Sequence, residues 1–75
     1  MLVEPLTERQ REVAVLVARG LTNRQIGEAL VITEGTANLH VKHILRKLGF
    51  SGRAQIAAWA ARQEHTFSPV AASQP

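Results

Sequence analysis

Residues 33–49, TEGTANLHVKHILRKLG, carry the clearest helical pattern in this chain of 75 residues. Apolar side chains recur there with the i, i+4, i+7, i+8, i+11 spacing of one buried helical stripe, at Ala37, Val41, Ile44, Leu45 and Leu48. Thr33 is a suitable N-cap, and Gly49 can end the helix in a left-handed conformation. The pattern therefore predicts a helix over residues 34–48.

The opposite face of this predicted helix is polar and basic. Its residues are Gly35, Asn38, Leu39, Lys42, His43 and Arg46. Lys and Arg neutralise phosphates or contact guanine edges, Asn can pair bidentately with adenine, and an apolar side chain can cover a thymine methyl group. Side chains near the start of such a helix reach base edges, so Asn38, Leu39 and Lys42 are expected to contact bases. His43, Arg46 and Lys47 are expected to contact the DNA backbone.

The net charge of the chain lies in the same segment. Acidic and basic residues cancel over residues 1–33 and 54–75, so residues 34–53 carry the whole net charge of +3. A localised basic segment is the footprint expected of a chain that meets a polyanion. A basic helix face can also dock on an acidic protein, such as an RNA polymerase subunit, and the sequence leaves that alternative open.

Three further helices are predicted around this segment. Thr7 and Thr22 each begin a T-x-x-Q capping box, which predicts helices over residues 8–19, ended by Gly20, and over residues 23–30. In the second of these, Gly27 marks a close helix contact. A fourth helix follows Ser51-Gly52 and fades near residues 63–66, with Ile56, Ala57, Trp59 and Ala60 directed to the core. No window alternates with period two, so the expected fold is an all-α four-helix bundle.

The second and third predicted helices form a helix-turn-helix. A short helix, a turn of about three residues and a longer helix with a basic outer face match the unit whose second helix enters the major groove of DNA. The start of the shorter helix, at Thr22, Asn23 and Arg24, has free amide groups and the positive end of the helix dipole, which suit a backbone phosphate.

Length and composition place this unit in a single small domain. We expect an N-terminal extension over residues 1–5, the helix-turn-helix domain over residues 6–65 and a flexible tail over residues 66–75. The chain has no cysteine, no apolar run of membrane-spanning length and no leader, which favours a cytoplasmic location. His40 and His43 lack further ligands at metal-binding spacing, and no catalytic constellation is present. The sequence predicts no cofactor, no metal and no enzymatic activity.

The chain strongly resembles the LuxR-type helix-turn-helix domain of bacterial transcription regulators. The resemblance rests on LTERQREV at residues 6–13, ARGLTNRQI at 18–26, LVITEGT at 30–36, His40, ILRKL at 44–48 and Arg53. It implies a four-helix domain that binds promoter DNA, usually as a dimer on inverted-repeat half-sites joined through the fourth helix. Such a domain is normally the C-terminal output module of a longer regulator, and some members are free-standing.

The resemblance also implies roles for individual residues. Asn38, Leu39 and Lys42 match the family's base-reading positions. Other residues match positions that touch the DNA backbone or support the helices, namely Thr22, Asn23, Arg24, Thr36, Lys47 and Arg53. The family usually has Lys at position 38, Val at 37 and Ala at 27, so Asn38 exchanges a charge for an adenine-type contact.

The fourth helix offers a candidate dimer interface. Gln55, Ala58 and Arg62 recur at i, i+3 and i+7 on the side away from Ile56, and the small side chain of Ala58 would let two such helices approach closely. The sequence therefore predicts a homodimer on DNA that pairs through this stripe.

Overall fold

The computed structural model describes residues 6–67, and it describes side chains over residues 6–63. The helices are α1 (Glu8–Ala18), α2 (Asn23–Leu30), α3 (Glu34–Leu48) and α4 (Arg53–Phe67). Within residues 6–67 there is no strand, so the predicted all-α, four-helix fold is confirmed. The extension predicted for residues 1–5 and the part of the predicted tail over residues 68–75 lie outside the described residues.

Side-chain caps set the starts of the first three helices. The Thr7 and Thr22 hydroxyls each accept a hydrogen bond at 3.1 Å from the backbone N–H three residues on, and the side chains of Gln10 and Gln25 accept one in return. Thr33 caps α3 by accepting from the Thr36 N–H at 3.0 Å. Each cap satisfies end amides that have no partner inside the helix.

Two helix ends differ from the prediction. α1 ends at Ala18, one residue early, because Arg19 already adopts the cap conformation and Gly20 follows with a φ of +91°. α4 continues to Phe67, so the boundary that the sequence predicts after residue 65 falls inside this helix. The end of α3 agrees with the prediction, with Gly49 at a φ of +69°.

The core lies where α1 packs against α4 and α2 packs against α3, and α3 also contacts α1. Its buried apolar residues are Leu6, Val13, Ala14, Val17, Ile26, Ala37, Val41, Ile44, Ile56 and Ala60. Leu45, Leu48, Ala57 and Trp59 are half-buried against this cluster. Each fully buried aliphatic side chain of this size contributes roughly 1.5–3 kcal/mol relative to exposure, so the small core depends on every one.

The turn between α2 and α3 is tight because Gly27 has no side chain. Its carbonyl oxygen accepts from the N–H groups of Val31 and Ile32. A Cβ atom at position 27 would lie 2.7 Å from the Ile32 carbonyl oxygen and 3.3 Å from the Glu34 nitrogen. The close contact that the sequence predicts at Gly27 is therefore made with the turn and the first residue of α3, and it fixes how α3 leaves α2.

Val31 makes this turn in the left-handed conformation, with a φ of +58° and a ψ of +48°. A β-branched residue is rare in that region, where Gly or Asn is usual. Its side chain is 90% exposed, so burial does not compensate for the backbone strain.

No helix within residues 6–67 has the length and apolar composition of a membrane span.

Candidate nucleic-acid interface

The outer face of α3 separates cleanly from its buried face. Ala37, Val41 and Ile44 are buried, whereas Lys42 and Arg46 are exposed. No ion pair or hydrogen bond within residues 6–63 engages either cation, so both are available to an anionic partner. The structure thus brings the two cations together on one side of the helix-turn-helix, as the sequence predicts.

Leu39 lies beside these cations and is 51% exposed. An exposed Leu is ordinary on a protein surface, and its significance comes from its place between Asn38 and the exposed cations. His43 is half-buried on the same helix, one turn beyond Leu39. The face therefore combines an apolar side chain, an amide and positive charge within about three helical turns.

Asn38 is half-buried and belongs to a polar relay that spans three elements. Its Oδ1 accepts a hydrogen bond at 3.3 Å from Nδ2 of Asn23, at the start of α2. The Asn23 Oδ1 in turn accepts at 2.7 Å from Nη1 of Arg53, the first residue of α4. Nη2 of Arg53 donates to the Leu21 carbonyl oxygen at 2.6 Å. We call Arg53, Asn23 and Asn38 the amide relay.

The start of α2 lies next to this relay. Thr22 is exposed, and its hydroxyl caps the helix. Arg24 is exposed as well, and its Nε lies 3.7 Å from Glu28 in an ion pair that water screens strongly. The first amide groups of α2 lie at the positive end of the helix dipole beside this exposed guanidinium, which suits a phosphate. Thr36, in the first turn of α3, is exposed and accepts from the Thr33 hydroxyl at 2.8 Å.

Lys47 lies on the α1 side of α3. Its Nζ donates to Oε1 of Gln10 at 3.0 Å, and this links the end of α3 to the first turn of α1. Gln10 is only 7% exposed. The T-x-x-Q motif predicts only a capping role for Gln10, whereas its spacing to Val13 and Val17 also places it on the buried stripe of α1. Lys47 thus supports the helices, a role that the resemblance implies beside backbone contact.

The candidate dimer residues Gln55, Ala58 and Arg62 are all exposed on α4. Gln55 has a second role that the sequence analysis missed. Its Oε1 accepts from the N–H groups of Ser51 and Gly52, at 2.6 and 2.9 Å, and therefore caps α4. The S-G-x-x-Q spacing, in which Gln follows the cap by three residues, is the signal that could have revealed this role.

Comparison with known proteins adds an independent finding. The family model described as bacterial regulatory proteins, luxR family, matches residues 4–60. The chain is 43% identical over 65 residues to the nitrate/nitrite response regulator protein NarL of Escherichia coli K12, covering 87% of this chain and 30% of NarL. It is 48% identical over 59 residues to the transcriptional regulatory protein LiaR of Bacillus subtilis, covering 79% and 28%.

A third relative is the response regulator protein VraR of Staphylococcus aureus, which is 42% identical over 59 residues. That match covers 79% of this chain and 28% of VraR. The chain thus spans less than a third of the length of these relatives. The helix-turn-helix resemblance stated from the sequence is confirmed by the family match.

Proposed function

Because the chain belongs to the LuxR family of bacterial regulatory proteins, we propose that it binds double-stranded DNA sequence-specifically, with α3 in the major groove. The observation that carries this proposal is the outer face of α3, where the exposed cations Lys42 and Arg46 follow the exposed Leu39 at i+3 and i+7. The activity is recognition and needs no bond-breaking step. Its compartment is the bacterial cytoplasm, where the chromosome lies.

We assign base contact to Asn38, Leu39 and Lys42. They lie in the first three turns of α3, the part of a recognition helix that reaches base edges in helix-turn-helix proteins. Lys42 can donate to guanine, and Leu39 can cover a thymine methyl group. The half-buried Asn38 is held by Asn23, and this restricts the orientation in which it meets a base.

We assign backbone contact to the groups that border this face. They are Thr22, Asn23, Arg24, Thr36, His43, Arg46, Lys47 and Arg53. The exposed cations supply charge, and the start of α2 supplies amide donors. Lys47 and Arg53 also make hydrogen bonds within the domain, so they support the helices beside the phosphate contact proposed for them.

We propose that the chain acts as the DNA-binding part of a transcription regulator. The relatives are named as response regulators or as a transcriptional regulatory protein, and the chain spans less than a third of each. A homodimer that pairs through α4 is part of this proposal, supported by the exposed Ala58, whose small side chain permits close helix contact. Gln55 and Arg62 flank it on the exposed side of α4.

The test is selection from a randomised duplex pool by the purified chain at moderate salt, followed by sequencing of the retained DNA. An enriched inverted repeat with half-sites about one helical turn apart is the expected result. A single enriched half-site would keep the recognition helix and remove the dimer. If no DNA is retained even at low salt, the DNA proposal fails and an acidic protein partner, such as an RNA polymerase subunit, becomes the alternative.

Salt dependence separates those two alternatives. Each phosphate that a cation neutralises contributes about −0.9 to the slope of log affinity against log salt concentration. Titration of the selected duplex from low to high salt is therefore expected to show a steep loss of affinity. A shallow salt dependence of duplex binding, together with an acidic protein that binds without DNA and is not displaced from α3 by the duplex, would contradict the groove-binding role of α3.

A further inference from the structure

The amide relay fixes which atom of Asn38 faces outward. The chemistry of Arg53 starts the argument, because a guanidinium has only hydrogen-bond donors. At 2.7 Å from Nη1, the atom of Asn23 must therefore be its oxygen. The oxygen and nitrogen of a side-chain amide are hard to distinguish by shape alone, and the partner is what assigns them.

The assignment passes from Asn23 to Asn38. With its oxygen bound to Arg53, Asn23 directs its NH₂ group to Asn38, at 3.3 Å. The atom of Asn38 that receives this donor must be its oxygen. The NH₂ group of Asn38 then has no partner within residues 6–63, and it is the part of the amide left to meet DNA.

We propose that Asn38 reads DNA as a hydrogen-bond donor and selects a keto base, guanine or thymine, with Arg53 and Asn23 as positioning residues. In the major groove guanine presents O6 and N7 as acceptors and thymine presents O4, whereas cytosine presents an amino donor and adenine presents its N7 acceptor beside an amino donor that would face the outward NH₂ group. This inference rests on the proposed function. It differs from the adenine contact that the sequence alone predicts for Asn38, because the bond from Asn23 holds the Asn38 oxygen toward the start of α2, whereas a bidentate contact with adenine needs that oxygen turned to the base.

The experiment uses the same duplex selection with variants of the whole chain. Asn38→Ala identifies the base pair that Asn38 reads, since its preference disappears there. In the unmodified chain Asn38 is expected to contact the keto base of that pair, so removing the major-groove oxygen of that base, guanine O6 or thymine O4, should lower affinity by about two- to tenfold, the range of one net hydrogen bond. Because every base pair also contains one amino base, the matched duplex lacks the amino group of the partner base; a loss of affinity in that duplex, with none when the keto oxygen is removed, would overturn the proposal.

Asn23→Asp is expected to reverse the orientation of the Asn38 side-chain amide. A carboxylate has no donor, so it retains the bond from Arg53 and accepts from the Asn38 NH₂ group, which turns the Asn38 oxygen outward. The preference at the identified base pair is then expected to change from a keto base to an amino base. An unchanged keto preference would show that Asn23 does not position Asn38, and it would overturn the inference.

Two control variants separate the effect of the Asn38 amide orientation from the effects of an added negative charge and of a lost Asn23–Asn38 hydrogen bond. Gln25→Glu adds the same negative charge at the start of α2 and keeps the capping box with Thr22. It is expected to lower affinity without changing the preferred base. Asn23→Ala removes the positioning contact without reversing it, so the preference is expected to weaken and not to invert. A full keto preference in Asn23→Ala would contradict the relay.

Failure of this inference is distinguishable from failure of the proposed function. If the unmodified chain selects no sequence, the proposed function itself fails. If Asn23→Asp does not bind DNA, Asn38→Asp provides the second measurement, because it keeps the donor from Asn23 and replaces the outward donor with an acceptor. That variant is expected to prefer an amino base, and a retained keto preference would overturn the inference.

Discussion

At the α2–α3 turn, backbone conformation affects stability at Val31, whereas the space available for a side chain affects it at Gly27. Val31 adopts a left-handed conformation that its side chain disfavours, with its side chain 90% exposed. Gly27 has an ordinary helical backbone and no room for a Cβ atom. The first residue costs stability through its backbone, whereas the second permits a close contact. Substitutions at the two positions are therefore expected to have opposite effects.

Val31→Gly is expected to stabilise the domain. The left-handed conformation costs roughly 1–2 kcal/mol for a residue with a side chain, and part of the gain is offset by the greater entropy of glycine in the unfolded chain. The free energy of unfolding should rise by about 0.5–1 kcal/mol, which thermal and denaturant unfolding would measure. Gly49→Ala is the matched control, because position 49 also has positive φ and alanine there should destabilise. A loss of stability in Val31→Gly would contradict the strain argument.

Gly27→Ala is expected to destabilise the domain in spite of the helix propensity of alanine. The new Cβ atom would lie 2.7 Å from a backbone oxygen, and overpacking of this kind typically costs about 1–3 kcal/mol. The propensity gain of about 1 kcal/mol offsets only part of that cost. Gly35→Ala is the control, since its Cβ atom would meet nothing closer than 4.0 Å and should be neutral or stabilising. Equal effects of the two substitutions would contradict the proposed crowding.

At the scale of elements, the helix starts were predictable because caps are local. The spacing from Thr7 to Gln10 and from Thr22 to Gln25 lies within one turn, and the structure forms both reciprocal pairs. The stripe of α3 was predictable for the same reason. Val31 was not, because the closure of the turn on Gly27 overrides the local preference of valine. Nothing in the sequence around Val31 indicates that this residue adopts a left-handed conformation.

Contacts between distant elements were less accessible from the sequence. The Lys47–Gln10 bond joins residues far apart in the chain, and the amide relay joins three elements. Helical periodicity shows that a residue lies inward or outward, but it does not show which residue of another helix faces it. The candidate base-contact residues were therefore identified by position, whereas the orientation of Asn38 required the structure.

Lys42 and Arg46 are exposed one turn apart on α3 and are expected to differ in function. Arg46→Ala should lower affinity uniformly for all sequences and reduce the salt slope by about 1, because one phosphate contact is lost. Lys42→Ala should instead cost about 1–3 kcal/mol of discrimination at one base pair. Binding of the selected duplex and of point-substituted duplexes over a range of salt concentrations measures both.

The control for these two variants is Arg11→Ala, which removes an exposed cation from α1, outside the helix-turn-helix. Its effect on the salt slope should be small. If Arg46→Ala leaves the slope unchanged, Arg46 does not contact phosphate. If Lys42→Ala weakens all duplexes equally, Lys42 contacts the backbone and not a base.

At the scale of the whole molecule, each helix pair has a different task. α2 and α3 form the helix-turn-helix with the exposed basic face, and α1 packs on α4 and contacts α3. Arg53 connects the two pairs, because the first residue of α4 donates to groups at the start of α2. A change in the position of α4 would therefore act on Asn23 and on Asn38. Through the hydrogen bonds of Arg53 and Asn23, α4 is connected to Asn38 on the proposed base-reading face.

Ala58→Glu tests whether that exposed side joins two copies. In a symmetric pair each position faces its counterpart or a near neighbour, so two new carboxylates would repel each other at the interface. Binding to an inverted repeat should lose its cooperativity, while affinity for a duplex with a single half-site, the internal control, should stay the same. Ala58 is exposed in the single chain, so the fold should tolerate the change. Sedimentation on the two-half-site duplex measures the stoichiometry directly, and cooperative two-copy binding by the variant would remove α4 from the dimer proposal.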